Sequence, residues 1–442
     1  MNGAVLRATA LAAALLLLGA CASVPRAPAP APPPTAPAPA TATSIQAVPE
    51  VSAVVVDASP WARLRTRFAL PGCDYSEAVL REAQRYTRSP KHFTASWKSA
   101  LPFLLLVLVE IEKRDLPGEL AVLPYVESHY QPLPAQGNRP AGMWQLMPGT
   151  ARERGLRVAR DYDGRLDAID ATRAALDLLE RHDREFGDWR LATMAFNAGE
   201  YRIKRLLGAR TGDTLDALAL AGLDLSPTTH THLARMLALA CIIADPARFG
   251  VELPEPGADD QLITEPVDGP FDLRVAAAFA GLPEEIVLRY NAAHRQRRSA
   301  AGAPPRILLP ATHVARFVQA RSEHPELLAL HWQVHAPKRT TDLDELASAA
   351  GLAPQALARA NGLAEDTRIA ANSEMLVPGP PAPSPYADAQ TGTDALHIVR
   401  PGDTLSAIAH RYGVRLADLL GWNRLRASTT LRLGMRLHVR AP

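Results

Sequence analysis

The chain has 442 residues, of which 47% are hydrophobic, so it can form substantial cores. A chain of this length is expected to divide into about two to four domains. Its 48 basic and 46 acidic residues leave a formal net charge of only +2. Because so small a net charge provides no strong field toward nucleic acid, we exclude nucleic acid as a partner.

The first twenty residues have the composition of a bacterial export signal. One arginine precedes an apolar stretch at residues 10–18, which is too short to span a bilayer and is typical of a signal peptide. The sequence LGAC at residues 18–21 resembles the lipobox of bacterial lipoproteins. That resemblance implies cleavage after residue 20, acylation of Cys21, and anchoring at the periplasmic face of the outer membrane. An ordinary secretory signal with a chance cysteine is the alternative.

Residues 21–60 are rich in proline and alanine and predict a lipid-anchored linker. Nine prolines lie between Pro25 and Pro49. Such a segment favours extended polyproline II conformations and cannot form a core. We interpret it as a tether between a membrane and the folded part of the chain.

Residues 61–250 predict an all-helical domain that begins near Trp61. The apolar run at residues 101–109 is too short to span a membrane, and the Pro-Gly pair at residues 117–118 interrupts the pattern. Apolar residues also recur at helical spacing between 174 and 195 and again between 232 and 245. No alternating strand pattern occurs in this section.

Two cysteines other than Cys21 occur in the chain. They are Cys73 and Cys241. In an oxidising compartment they could form one disulfide. Two separate buried thiols are equally compatible with the sequence.

An internal repeat follows residue 250. Copies begin at Leu273, Leu343 and Leu405, and each has Ala at its fifth place, Gly at its ninth and Asn at its nineteenth. A short strand-like run follows each copy. The pattern predicts three small modules at residues 261–310, 331–378 and 395–440.

The third copy carries a more specific signal. The sequence HIVRPGDTL precedes it, and Asp403 or Thr404 can cap the following helix. This stretch resembles the LysM module, a βααβ fold that binds glycans containing N-acetylglucosamine. The resemblance implies that Asp403, Thr404 and Asn423 contact glycan, whereas a spacer without a ligand is the alternative. The two earlier copies lack PGDTL, so we interpret them as degenerate modules.

Three motifs in the helical domain occur in a characteristic order. They are Glu127-Ser128 after an apolar run, AGMWQLMPGT at residues 141–150, and AFNAG at residues 195–199. Together they resemble the soluble-lytic-transglycosylase family, which is related in fold to goose-type lysozyme. The predicted fold class is therefore α+β multidomain, an all-α lysozyme-like catalytic domain followed by small βααβ LysM-type modules.

The resemblance implies a peptidoglycan-cleaving lyase with Glu127 as its acid and base. A carboxyl group delivers a proton near neutral pH only where an apolar environment favours its neutral form, and Glu127 follows such a run. Most glycosidases also use a second carboxylate. In this family the C6 hydroxyl of N-acetylmuramic acid attacks its own anomeric carbon instead, which gives a 1,6-anhydro sugar and uses no water.

Other motif residues are candidates for substrate binding. Gln145 and Asn197 are polar groups in apolar stretches, which suits hydrogen bonds to sugars, although Asn197 could instead cap a helix. Phe196 and His232 occupy positions where the family has tyrosine. The full predicted set is Ser128, Met143, Trp144, Gln145, Phe196, Asn197 and His232.

The sequence predicts no metal and no cofactor. His230 and His232 lie two residues apart, but no third ligand accompanies them. The expected partners are peptidoglycan glycan strands and the outer membrane, reached through lipidated Cys21. Two other functions stay open: a lysozyme-like hydrolase on the same fold, and a non-catalytic peptidoglycan-binding lipoprotein, which the replacements at Phe196 and His232 would fit.

Overall fold

A computed structural model describes residues 59–208 and 215–379, together with residues 396–439 except 400–402, 413, 427–428, 430 and 433. The expected signal peptide, Cys21 and nearly all of the expected linker lie outside the described residues. The predicted fold class is confirmed: a helical domain precedes small modules that pair helices with short strands.

The helical domain occupies the described residues up to 250. Within that part the backbone forms isolated bridges, such as Ala141 with Leu146, but no strand. Its helices are α1 (Pro60–Arg65), α2 (Glu77–Thr87), α3 (Pro90–Lys113), α4 (Leu123–Ser128), α5 (Pro148–Glu153), α6 (Ala168–Phe186), α7 (Trp189–Ala198), α8 (Glu200–Leu207), α9 (Ala217–Ala221) and α10 (Pro227–Ala244).

Two long apolar helices, α3 and α10, contribute many residues to the core of this domain. α3 begins with Pro90, whose missing N–H is not needed in a first turn. It is long and apolar enough to cross a membrane, but more than half of its most apolar window is buried within the protein, as in a core helix. α10 is likewise buried over most of its length. Residues carried by α10 are therefore attached to a packed core.

A disulfide joins Cys73 to Cys241 across 168 residues of sequence. Cys73 opens a single 3-10 turn, Cys73–Tyr75, and Cys241 is buried near the end of α10. The bond therefore ties the start of the domain to its central helix and resolves the alternative that the sequence left open.

Three βααβ units follow. The first has β1 (Leu262–Pro266), α11 (Leu273–Ala280), α12 (Glu284–Tyr290) and β2 (Arg306–Pro310), and then continues into α13 (Ala311–Glu323) and α14 (Pro325–Ala329). The second has β3 (Trp332–His335), β4 (Thr341–Asp342), α15 (Leu343–Ala349), α16 (Pro354–Asn361), β5 (Arg368–Ile369) and β6 (Met375–Pro378). The third has β7 (Leu396–Ile398), α17 (Leu405–Arg411), α18 (Leu416–Asn423) and β8 (Arg436–His438). In each unit the outer strands pair antiparallel: β1 with β2, β3 with β6, and β7 with β8.

The repeated asparagine has the same structural role in all three units. Asn291 donates from Nδ2 to the carbonyls of Val287 and Leu308, both at 2.9 Å, and its Oδ1 accepts from the Leu308 N–H at 2.9 Å. Asn361 and Asn423 make the equivalent three bonds between their own helix and strand. The side-chain amide thus closes the second helix onto the last strand, which explains why the repeat keeps asparagine there.

Replacing both Cys73 and Cys241 with serine should lower the free energy of unfolding by about 2–4 kcal/mol, because the bond restricts a long loop in the unfolded chain. Urea denaturation of the oxidised wild type and the double variant measures the difference. An equal denaturation midpoint for both proteins would contradict this expectation.

Acidification should destabilise the fold in part through His294. Burial lowers its pKa from 6.5 to about 4, and its Nδ1 accepts a hydrogen bond from the Ala300 N–H at 3.3 Å, which requires an unprotonated Nδ1. Between pH 6.5 and 4 the unfolded state therefore binds a proton that the folded state does not, and the free energy of unfolding decreases as the pH falls. Denaturation at pH 7 and pH 5 should show a smaller decrease for His294→Gln than for wild type; equal decreases would refute this.

Candidate active site

Glu127 lies at the end of the short helix α4. The residues before it, Leu123 to Tyr125, are buried, whereas the Glu127 side chain keeps 14% of its surface exposed. α4 ends at Ser128 and is followed by His129, which adopts a left-handed backbone conformation with φ of 53°. Burial lowers the pKa of His129, with smaller contributions from His92 and Arg235, so this neighbour stays neutral at pH 7. Glu127 is thus a largely buried carboxyl group that solvent can still reach.

His232 holds one oxygen of this carboxyl group. Its Nε2 lies 2.8 Å from Glu127 Oε1, and the His232 side chain is 7% exposed. Its other ring nitrogen, Nδ1, is buried and has no hydrogen-bond partner among the residues that the structure describes. Because an unpaired buried N–H is rarer in proteins than an unpaired acceptor, this environment favours a ring proton on Nε2 over one on Nδ1. His232 then donates to Oε1, and Glu127 Oε2 has no hydrogen-bond partner within the described part of the chain.

The helix that carries His232 also connects the site to Asn197. Thr229 lies one turn before His232 on α10, so the two side chains share a face of the helix. Thr229 Oγ1 donates to Asn197 Oδ1 at 3.0 Å, and Asn197 itself is exposed near the end of α7. The predicted residues Glu127, Asn197 and His232 are therefore linked through one buried helix.

The loop at residues 139–146, which we call the site loop, packs against the end of α4. Gly142 has φ of +78°, and a Cβ added there would lie 1.7 Å from the Arg165 carbonyl oxygen. The Arg165 guanidinium donates to the carbonyls of Arg139, at 2.7 Å, and Leu146, at 3.2 Å, and is paired with buried Asp163. The backbone of Arg165 thus lies so close to Gly142 that a larger residue would not fit at this position of the motif.

Three residues expected to bind substrate have internal roles instead. Ser128 is buried and donates to the Met143 carbonyl at 2.9 Å, which fixes the site loop to α4. The Met143 side chain is 3% exposed, and Trp144 is fully buried, with its indole N–H donating to Thr172 of α6 at 3.0 Å. Because the Trp144 ring is buried in this structure, its predicted contact with sugar stays a prediction, and we place Ser128 and Met143 in the support beneath the site.

The remaining predicted residues surround this support. Gln145 is half-buried, has φ of 48°, and donates to the Gly142 carbonyl at 2.6 Å, which keeps the site loop tightly turned. Phe196 is half-buried and packs edge-on against Trp144 with ring centroids 6.3 Å apart. His230 contacts the Leu223 carbonyl at 3.1 Å.

The candidate glycan-binding residues of the third module also make internal contacts. Asp403 Oδ2 lies 2.7 Å from Nε2 of buried His397, and Thr404 Oγ1 accepts from the Ala407 N–H at 3.1 Å, as a helix cap does. The Asn423 amide is used between helix and strand in the same way as in the other two modules. Asn423 is therefore a structural residue of the module.

Sequence reasoning passed over Arg165, Thr229 and Tyr201. Arg165 is 2% exposed, yet an arginine in the stretch DGRLD reads as a surface residue. Thr229 carries no signal of its own in the sequence. Tyr201 is 85% exposed beyond the AFNAG motif, and an aromatic residue at helical spacing is usually read as core.

Comparisons with known families agree with this architecture. A transglycosylase SLT domain matches residues 110–214, a LysM domain matches residues 397–440, and the family described as lytic transglycosylase MltD, LysM-like domain, matches residues 261–325. Together with the fold and the motifs, these matches support the resemblance found in the sequence: the chain is an enzyme, a lytic transglycosylase of peptidoglycan that carries LysM-type modules.

Among curated proteins the chain is similar to the membrane-bound lytic murein transglycosylase D of Escherichia coli strain K12. The two are 27% identical over 385 residues, which cover 84% of each chain. The protein of the same name from Escherichia coli O6:H1 strain CFT073 matches equally well, with 27% identity and 84% of each chain covered. A crystal structure of the Bacillus cereus spore cortex-lytic enzyme SleL shares 24% identity over 25% of this chain and 23% of that one, with a TM-score of 0.11, too low to bear on the fold.

Replacing Gly142 with alanine should reduce both activity and stability, because a Cβ there meets the Arg165 carbonyl and the backbone has a positive φ. Gly149→Ala is the matched control, since a Cβ at Gly149 has no neighbour within 4 Å. Peptidoglycan digestion and thermal unfolding of both variants test this expectation. It fails if the two variants behave alike.

Proposed function

We propose that the enzyme cleaves the β-1,4 bond between N-acetylmuramic acid and N-acetylglucosamine and forms a 1,6-anhydro end. Glu127 acts first as the acid and then as the base. The observation that carries this proposal is the hydrogen bond between His232 Nε2 and Glu127 Oε1 at 2.8 Å, on a carboxyl group that keeps 14% of its surface exposed.

In the first step Glu127 protonates the leaving oxygen of N-acetylglucosamine. With Oε1 accepting from His232, the proton of the neutral carboxyl group resides on Oε2, the oxygen without a protein partner among the described residues. The C1–O4 bond then breaks, and its electron pair stays with the oxygen that receives the proton. His232 thereby determines which carboxyl oxygen faces the substrate.

In the second step the Glu127 carboxylate removes the proton from the C6 hydroxyl of the same N-acetylmuramic acid, whose oxygen bonds to C1. The carboxyl group is thus regenerated, and no water enters the product. His232 continues to donate to Oε1 throughout, so it stabilises the carboxylate when Glu127 is charged. Asn197, Gln145 and Phe196 are proposed to line the sugar sites, since each keeps some exposed surface.

We further propose where the enzyme works. Residues 1–20 act as a lipoprotein signal, lipidated Cys21 anchors the chain at the periplasmic face of the outer membrane, and the linker up to residue 60 provides reach. The relative in Escherichia coli is named a membrane-bound enzyme, which supports this placement. The module at residues 395–440 binds the glycan strands that the catalytic domain at residues 61–250 cleaves, and the modules at residues 261–310 and 331–378 are LysM-like.

Glu127→Gln should abolish cleavage, because the amide keeps the shape of the side chain but has no proton to transfer. Mass spectrometry of digested sacculi should find anhydro ends with wild type and none with the variant. Binding to sacculi should persist in the variant, since the third module is unchanged. Glu153→Gln, at an exposed position on α5, is the matched control and should retain full activity.

Each alternative function gives a different result in the same experiment. Reducing ends that are heavier by one water would indicate a hydrolase. Binding of wild type to sacculi without any released fragment would indicate a non-catalytic wall protein. Undiminished turnover by Glu127→Gln would remove Glu127 from the mechanism.

His232→Tyr should keep substantial activity, because a phenol can also donate to Glu127 Oε1, whereas His232→Phe should lower kcat by about a hundredfold through loss of that donor. Initial rates on isolated sacculi, with circular dichroism to verify folding, distinguish the two variants. Equal rates for tyrosine and phenylalanine would show that the hydrogen bond has no role in turnover.

A further inference from the structure

We infer that the first LysM-like module is a fixed part of the active-site support, with Arg306 as a positioning residue for the reaction. The inference rests on the proposed function of Glu127. Three sets of contacts connect the module to α4: from the module to residues 157–167, which we call the brace, from the brace to the site loop, and from the site loop to the helix that carries Glu127.

The first set joins the module to the brace through backbone hydrogen bonds. The Asp163 N–H donates to the Ala293 carbonyl at 3.0 Å, and the Arg295 N–H donates to the Asp161 carbonyl at 3.0 Å. Between them the ring of Tyr162 lies against His294 with centroids 5.3 Å apart. Paired backbones and buried rings make this a continuous interface within one chain rather than a loose contact.

Arg306 adds a charged connection next to these bonds. Its Nη2 lies 3.0 and 3.1 Å from the two oxygens of Asp167 and 3.0 Å from Asp170 Oδ2. Asp167 Oδ1 also caps α6 by accepting from the Ile169 and Asp170 N–H groups. Arg306 therefore secures the first turn of the helix that holds the Trp144 indole through Thr172.

The second and third sets carry the constraint to Glu127. Arg165 of the brace has a carbonyl in close contact with Gly142 and a guanidinium bound to the carbonyls of the site loop. The Ser128 hydroxyl in turn donates a hydrogen bond to the Met143 carbonyl of the site loop. Ser128 directly follows Glu127 in the chain. Small displacements of the brace are thereby passed on to the reacting carboxyl group.

The three repeats provide an internal comparison. The conserved asparagine and the strand residue that it binds are 17 residues apart in the first module, Asn291 to Leu308, but 15 apart in the other two. The longer loop is the one that contacts the brace. In the second module the equivalent loop forms bonds within its own module, such as the Asn372 N–H to the Pro337 carbonyl and Arg368 to Asp342. The first module has thus been adapted at the segment that faces the catalytic domain.

Arg306→Met tests the inference in the full-length enzyme. We expect kcat for release of anhydro-muropeptides to fall about tenfold, because a displacement well under 1 Å at a reacting group has effects of this size. KM and sacculus binding should be unchanged, and Arg306→Lys should recover most of the activity. Arg321→Met is the matched control: Arg321, on α13 directly after the module, pairs with Glu265 of β1 at 2.7 Å, away from the brace.

A second variant covers the case in which Arg306→Met does not fold. Arg157, which is half-exposed, donates to the Ala301 carbonyl of the module at 2.8 Å. Arg157→Met should fold, and should increase amide hydrogen exchange in residues 139–146 while lowering kcat. Equal rates for Arg306→Met and Arg321→Met, or unchanged exchange and kcat in Arg157→Met, would overturn the inference. A wild type that forms no anhydro ends would instead refute the proposed function.

Discussion

The hydrogen bond between His232 and Glu127 is the interaction on which the site depends. It joins the end of a six-residue helix to the central buried helix of the domain, and it engages one oxygen of a carboxyl group whose other oxygen is the proton donor in the proposed mechanism. A short helix could not by itself hold a carboxyl group in place, because its few hydrogen bonds allow its ends to fray. The Cys73–Cys241 disulfide and the core around α10 make the partner of Glu127 rigid.

Support for the site extends outward from this bond in successive layers. Ser128 binds the site loop, Arg165 binds the same loop from the other side, and Asp163 holds Arg165 in a buried pair with side chains 2% and 4% exposed. A buried pair of this kind contributes orientation more than stability, because desolvation offsets much of the attraction. In this protein the Arg165–Asp163 pair orients the site loop.

The repeated modules show how one pattern acquires different roles. All three use the same asparagine to close helix onto strand, so that residue reports the fold of the module and not its ligand. The modules differ in the loop between this asparagine and the last strand. In the first module that loop forms an interface with the catalytic domain. A sequence repeat therefore predicts shared architecture more safely than shared binding.

The sequence by itself predicted the class of fold correctly, because apolar periodicity, repeat spacing and short motifs are local properties of the chain. The same local patterns predict the domain boundaries and the role of Glu127, which stay predictions. The sequence could not show that the Trp144 ring is fully buried, since an aromatic residue of a motif can lie in a core or line a sugar site. The pairing of Cys73 with Cys241 and the contacts of His232, Thr229 and Arg165 were decided only by the tertiary structure. Each joins segments far apart in sequence, and such contacts depend on how helices pack rather than on which residues neighbour one another along the chain.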